Sequence, residues 1–538
     1  MRRGLWGSKM GRAAAHPAIR LLRSMAGNES GATAAVFAIV FSAILLASAV
    51  AIDFARSTAE QSREQQALDA ATLAASDMLG LPDQDAIGKA TAEAFFKANI
   101  GNRSNAVLEK IVLDKDAGEV RGTSQGTIVS SLMKVFGADT LRIGANSKVA
   151  KGDGTFEIAL VLDNSGSMAG TYIADLKTAA KNLSGIMFVG AEGTDKVKIG
   201  VVPFASSVNV GAGNRTANWI DDEGASSVHY QNVSENRTRL QLFDDMGVAW
   251  GGCVEVRPGE LATNDLAPIS GNSDSYFVPM LAPDEPDGNN DGGDSYSNSY
   301  LVDDAGACTP QPTVCTKYDR KGKCTQSSKT PLTPQVAQAR TCKYKNQAPS
   351  SGTGPNLGCT TKPVLPLTSQ RASVDSHIDS LAASGNTNIG EGLMWGWRVL
   401  SPGEPFTGGR EDATPKNTKI IILMTDGQNT YTTTSNHNKS TYGAFGYASK
   451  NRLGAVYTTS AIRTKMDDHL KTACTNAKAT GIMIYTVAFR LEGDTNTQNL
   501  LKACASANDK YFAASSGSVL ITTFQTIARQ LTQLRVTG

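Results

Sequence analysis

The chain lacks a strong charge of either sign: 52 Lys+Arg against 50 Asp+Glu leave a formal net charge of +2, and charged residues are only 19% of the 538. Such a balance gives no electrostatic footprint for a nucleic-acid or polyanion partner. Histidine is scarce, with 5 in all. None stands in an H-E-x-x-H helix or beside a G-x-S-x-G elbow, which leaves a hydrolase as a remote reading. No two cysteines form a C-x-x-C pair, which counts against a zinc site for Cys308, Cys315, Cys324 and Cys342. What remains is the chemistry of oxygen ligands, disulfides and apolar segments.

Acidic residues are absent before Glu29, whereas Arg2, Arg3, Lys9, Arg12, Arg20 and Arg23 all precede it. Charge is then absent altogether from residues 31–52, GATAAVFAIVFSAILLASAVAI, a run long enough to cross a hydrocarbon core of about 30 Å as a helix. The basic leader, residues 1–30, stays cytoplasmic by the positive-inside rule, and the bulk of the chain is exported. A cleaved signal peptide is the competing reading, because Ala47-Ser48-Ala49 resembles a cleavage site. Eight cysteines, an even number and none in the leader or the apolar run, agree with export to an oxidising compartment.

Glycine and proline are missing from residues 53–75, which predicts that the helix continues outward, either packed on a neighbour or as a solvated stalk. With a second helix over 85–99 and β-rich pieces over 107–149, residues 53–150 form an exported helix and a small α+β segment. From Phe156 the runs FEIALVL, VKIGVVPF, KIIILM, IMIYTVAF and YFAA alternate with helical stretches near Ala169, Gly390, Thr459, Asn496 and Ser518. Continuous apolar strands separated by helices predict an α/β fold over 155–538, a mostly parallel sheet covered by helices on both faces. A Gly-, Pro-, Ser- and Asn-rich stretch over about 207–374, with six cysteines, reads as an insertion whose disulfides stand in for a large apolar core.

Parallel sheets place ligands at the carboxyl ends of their strands. There EIALVL runs into Asp163-Asn164-Ser165-Gly166-Ser167, ASGNTNIGEGL puts Thr387 on a turn before a helix, and KIIILMTDG ends on Asp426. Alone, D-x-S-x-S is an ordinary helix-capping sequence. Together, the three loops offer hard oxygen ligands, suited to Mg²⁺ or Mn²⁺, with Ca²⁺ also admitted.

In these residues the sequence resembles the von Willebrand factor A (vWA) family, whose metal-ion-dependent adhesion site reads D-x-S-x-S, then Thr, then Asp. The resemblance implies a Rossmann-like vWA domain, with Asp163, Ser165, Ser167, Thr387 and Asp426 holding a divalent cation. Because the hydroxyls are neutral, the cation keeps charge with which to attract an acidic side chain of a protein partner, and no catalytic step is implied. The leader, the GATAAVFAIV segment, the QQALDAATLAA helix and the WGGCVEVRP stretch further resemble TadG-type proteins of the Tad (Flp) pilus-assembly system, with the TadE/TadG-like region ending near residue 75. That implies a single-pass protein of a bacterial inner membrane with a periplasmic bulk, working with pilus-assembly components. In Gly27-Asn28-Glu29 the acid stands too close to the glycine for prepilin-peptidase processing, so the anchor is expected to be retained. A secreted adhesin of the same fold, binding host or matrix protein, is the alternative.

Two smaller signals remain. Asp287-Gly288-Asn289-Asn290-Asp291-Gly292 begins like a Ca²⁺ loop, but its twelfth position is Asn298 rather than Glu, so a solvated loop is the better reading. Cys474 and Cys504 flank the strand IMIYTVAF on helices of one sheet face and are expected to pair; Cys253 and Cys359, the outermost of the six in the insertion, are expected to close it.

Overall fold

The computed structural model describes residues 30–81, 83–101, 104–130, 134, 140–150, 154–287, 295–330, 332–350 and 354–537. The candidate cleavage site falls within helix α1, whereas the basic leader and most of the Ca²⁺-like loop lie outside the described residues. The chain divides into two compact units, Met1–Asp77 with Asp85–Leu113 and Val120–Val149, and Met78–Gln84 with Asp114–Glu119 and Ala150–Gly538.

In the first unit α1 (Ser30–Ser76) is one uninterrupted helix, followed by α2 (Gln84–Ile100) and a three-stranded sheet of β1 (Val107–Asp114), β2 (Glu119–Val129) and β3 (Thr140–Ala150) in that order. Its apolar part near the amino end is exposed, and the helix is long and apolar enough to be a membrane span or a signal sequence. Its second half is no solvated stalk. Ala67, Leu68, Ala71 and Ala75 are buried. Polar groups join helix to sheet: Ser124 donates to Glu64 at 2.7 Å, Ser130 to Asp53 at 2.8 Å, and Gln65 to the Asn146 carbonyl at 2.9 Å. Buried carboxylates at these positions survive because each has a hydroxyl donor.

The second unit is built on a six-stranded sheet ordered β11-β10-β9-β4-β5-β8. Its strands are β4 (Thr155–Asp163), β5 (Val197–Phe204), β8 (Leu365–Thr368), β9 (Asn417–Thr425), β10 (Met483–Phe489) and β11 (Tyr511–Ala514). Five run parallel, and β8 is an antiparallel edge. Two-residue alternation divides each apolar run between two cores. From β4, Phe156, Ile158, Leu160 and Leu162 face α3 (Thr171–Met187), α6 (Arg371–Asp379) and α10 (Gly517–Thr537), through Leu176, Leu183, Val374, Ile378, Phe524 and Ile527. Ala159 and Val161 point the other way, toward α7 (Ile389–Leu400), α8 (Thr459–Ala479) and α9 (Thr495–Cys504), meeting Leu393, Trp395, Leu470 and Leu501.

Between β5 and β8 lie α4 (Arg239–Met246), the hairpin β6 (Thr313–Tyr318) and β7 (Cys324–Lys329), and α5 (Pro334–Ala339). The insertion therefore ends before β8, earlier than expected, since β8 and α6 belong to the α/β body. Nor do disulfides replace its core. Trp219, Phe243, Trp250, Phe277, Tyr300 and Tyr344 are buried in the same cluster as Val161 and Trp395 of the α/β body. Phe277 packs on Trp395 with ring centroids 5.0 Å apart, and the Arg398 guanidinium lies over both rings. Four disulfides join Cys253 to Cys359, Cys308 to Cys342, Cys315 to Cys324 and Cys474 to Cys504.

Candidate functional site

Strand β4 ends on Asp163, whose side chain is wholly buried. One carboxylate oxygen accepts the Ser165 amide at 2.7 Å, which bends the chain into the loop, and the other accepts the Thr425 hydroxyl from the end of β9 at 2.6 Å. Ser165 and Ser167 hydroxyls stand 3.1 Å apart, and Ser167 donates to Asp426 at 2.6 Å. Four of the five expected ligands thus form one chain of contacts.

Thr387 enters through the backbone. The Gly166 amide donates to the Gly385 carbonyl at 2.9 Å and the Ser384 amide to Asn164 at 2.7 Å, laying the second loop against the first. Gly385 does this at φ +90°, where an L side chain is strained and a Cβ would press on Thr360 at 3.1 Å. On the other side Thr387 NH donates to the Thr430 hydroxyl at 2.7 Å, and the Thr430 amide returns a bond to the Thr387 carbonyl at 2.9 Å. Asn429 accepts the Ile389 amide at 2.8 Å, satisfying a donor at the start of α7.

Electrostatically the pocket is short of positive charge. Burial, followed by the nearby Asp426 carboxylate, pushes Asp163 up to about 6, and burial raises Asp426 as well. Among the described residues no group of three or more His, Cys, Asp or Glu side chains comes together; here two carboxylates share the site with three hydroxyls. An oxygen-only set with repelling carboxylates fits a hard divalent cation. Among the described residues Ser167 has no hydrogen bond to a histidine. The Ser167 hydroxyl meets Ser165 and Asp426, while His229 is paired with Asp221 at 2.7 Å.

The sequence pattern alone does not single out Thr425, Asn429 and Thr430, although the stretch MTDGQNT carries them on both sides of Asp426. Its density of hydroxyl and amide side chains was the available signal. Asn298, the twelfth position of the Ca²⁺-like stretch, is buried, donates to the Pro283 carbonyl at 3.2 Å and accepts the Gly354 amide at 3.0 Å.

A parallel sheet covered on both faces, with such loops at its carboxyl end, has the architecture of a vWA domain. The family model for the von Willebrand factor type A domain matches residues 357–526, and the chain contains that domain. Thr387 and Asp426 lie inside the matched segment; Asp163, Ser165 and Ser167 lie before it. Among solved structures the chain is similar to the vWF domain of the type V pili tip protein Mfa5 from Porphyromonas gingivalis, at 11% identity and TM-score 0.32, covering 70% of this chain and 95% of that one. It is also similar to the pilus adhesin SpaC from Lactobacillus rhamnosus GG in its open conformation, at 12% identity and TM-score 0.32, covering 80% of this chain but only 35% of that one. The PilB minor pilin from Streptococcus sanguinis matches at 12% identity and TM-score 0.30, covering 80% and 79%. At this level these likenesses carry no argument about function. The comparison with curated proteins found no match.

Proposed function

We propose that this chain is a membrane-anchored vWA protein that captures an acidic side chain of a protein partner through a divalent cation, most simply Mg²⁺, in the assembly or anchoring of a Tad/Flp-type pilus at a bacterial inner membrane. The observation that carries the cation reading is the contact chain Ser165, Ser167, Asp426 in front of a buried Asp163. Ser165, Ser167 and Thr387 would supply neutral oxygens, Asp426 a charged one, and Asp163, held by Ser165 and Thr425, would fix the first loop and add charge behind it. A cation bound there keeps positive charge for an incoming carboxylate. The resemblance of the amino-terminal region to TadE/TadG-type sequences, together with the exposed apolar part of α1, supports the anchored pilus-assembly role.

The test is paired. Asp163→Ala in the full chain should leave thermal unfolding intact while removing Mg²⁺-dependent capture of partners from membranes, and EDTA should do the same to the unaltered protein. Capture that persists in EDTA, or a variant that does not fold, overturns the cation reading. Recovery of pilus-assembly components supports the assembly role, and recovery of host matrix protein by a released form overturns it.

A further inference from the structure

The hairpin β6–β7 adds nothing to any hydrophobic core among the described residues. Every residue from 313 to 329 is exposed except Cys315, which is half-buried. A two-stranded ribbon without a packed face is marginal in water. Here it is closed by Cys315–Cys324 and by a tight turn, in which the Lys323 carbonyl accepts the Asp319 amide at 2.8 Å. The Asp319 carboxylate is taken up by that turn, accepting the amides of Lys321 and Lys323 at 2.8 and 2.9 Å. Lys317, Arg320, Lys321 and Lys323 surround it, and among the described residues no acidic side chain pairs with any of them. Beside these charges Tyr318 is 62% exposed and Val314 55%.

We propose that this hairpin is a membrane-surface contact: a preorganised basic tip that lies on anionic phospholipid headgroups, with Tyr318 and Val314 entering the interface. Uncompensated lysine and arginine next to an exposed aromatic ring match a surface that is negative outside and apolar beneath. Cross-linking lowers the ordering cost of docking a ribbon that packs on nothing. This rests on the proposed anchoring of the chain by α1, since tethering to a membrane raises the effective concentration of its surface. An acidic soluble polymer would satisfy the charges but would leave Tyr318 and Val314 without a role.

The experiment uses the full chain in nanodiscs of phosphatidylcholine, with or without phosphatidylglycerol, and follows hydrogen exchange over 313–329. Exchange should slow in the phosphatidylglycerol discs only, and the effect should fade with added salt. Each basic group is worth about fivefold in surface partitioning, so Lys321→Gln with Lys323→Gln should lower the protection by on the order of 25-fold. Equal exchange in both discs, protection unchanged by the double substitution, or equal protection by soluble poly-glutamate overturns the proposal. Discs that fail to retain the chain would refute the span reading of α1 instead. Added vesicles of the same two compositions then give the same comparison for the hairpin.

Discussion

Replacing Asp163 with Asn tests whether the site is electrostatically loaded before a cation arrives. In the cation-free protein Asp163 is raised from the ordinary 3.8 to about 6, by burial first and by Asp426 second. For a carboxylate raised on folding, the native state holds the proton more tightly than the unfolded chain. The associated stability is therefore fully present below about pH 3.8 and is lost as pH rises through about 6. At about 1.4 kcal/mol for each tenfold change in proton affinity, the loss attributable to this group is at most about 3 kcal/mol. Other buried acids titrate in the same direction, Asp284 among them, also raised to about 6 by burial. The informative quantity is thus the difference between the unaltered protein and Asp163→Asn, from urea unfolding in EDTA at intervals between pH 4 and 7. That difference should shift in favour of the Asn variant by up to about 3 kcal/mol across the window. Excess Mg²⁺ should stabilise the unaltered protein at pH 7 and leave the variant nearly unmoved. A difference that is flat with pH, or a variant that still responds to Mg²⁺, would refute the electrostatic account.

Arg398 is 1% exposed, 3.6 Å from the buried Glu391, which also accepts the Trp395 indole NH at 2.7 Å. Arg398→Met should destabilise by about 3–5 kcal/mol by leaving Glu391 buried without its cation, and Arg398→Met with Glu391→Leu should recover much of that in urea unfolding. Cys474→Ser with Cys504→Ser opens a crosslink of sequence separation 30 between α8 and α9. It should cost about 3–4 kcal/mol in the same assay, with unchanged Mg²⁺-dependent capture.

Much of the α/β body was readable because burial on both faces leaves long apolar runs: FEIALVL, VKIGVVPF, KIIILM and IMIYTVAF all lie in strands of the sheet. The strand β8 was not readable. LPLT is short, half-exposed and contains Pro366, features tolerated at a sheet edge and indistinguishable locally from a loop. The insertion's core was hidden for a different reason: Trp219, Phe243, Trp250 and Phe277 have no common period, because they pack on a face supplied by distant helices. At the site, D-x-S-x-S was legible at a strand end. Thr425 was not, since its bond to Asp163 joins positions 262 residues apart and depends on β4 lying beside β9.

The disulfide at the mouth of the insertion bears on the same site. Cys253 and Cys359 have their Cα atoms 5.6 Å apart. The adjoining Gly358 carbonyl accepts both the Ser206 and Ser207 hydroxyls, at 3.0 and 2.8 Å, just beyond β5. One residue after Cys359, the Thr360 hydroxyl donates to the Ser384 carbonyl at 3.1 Å, and the Ser384 amide is itself bound to Asn164 of the first loop. From the other side the Asn388 amide donates to the Ala205 carbonyl at 2.8 Å. The loop carrying Thr387 is thereby held between the end of β5 and the exit of the insertion. The buried Asp163 and the half-buried Asp426 repel when both are ionised, which pushes their loops apart, and oxygen ligands bind a cation well only if held in place beforehand. The crosslinked exit supplies that restraint from outside the ligand set. On the proposed cation reading, this accounts for a Cys253–Cys359 crosslink placed beside these loops.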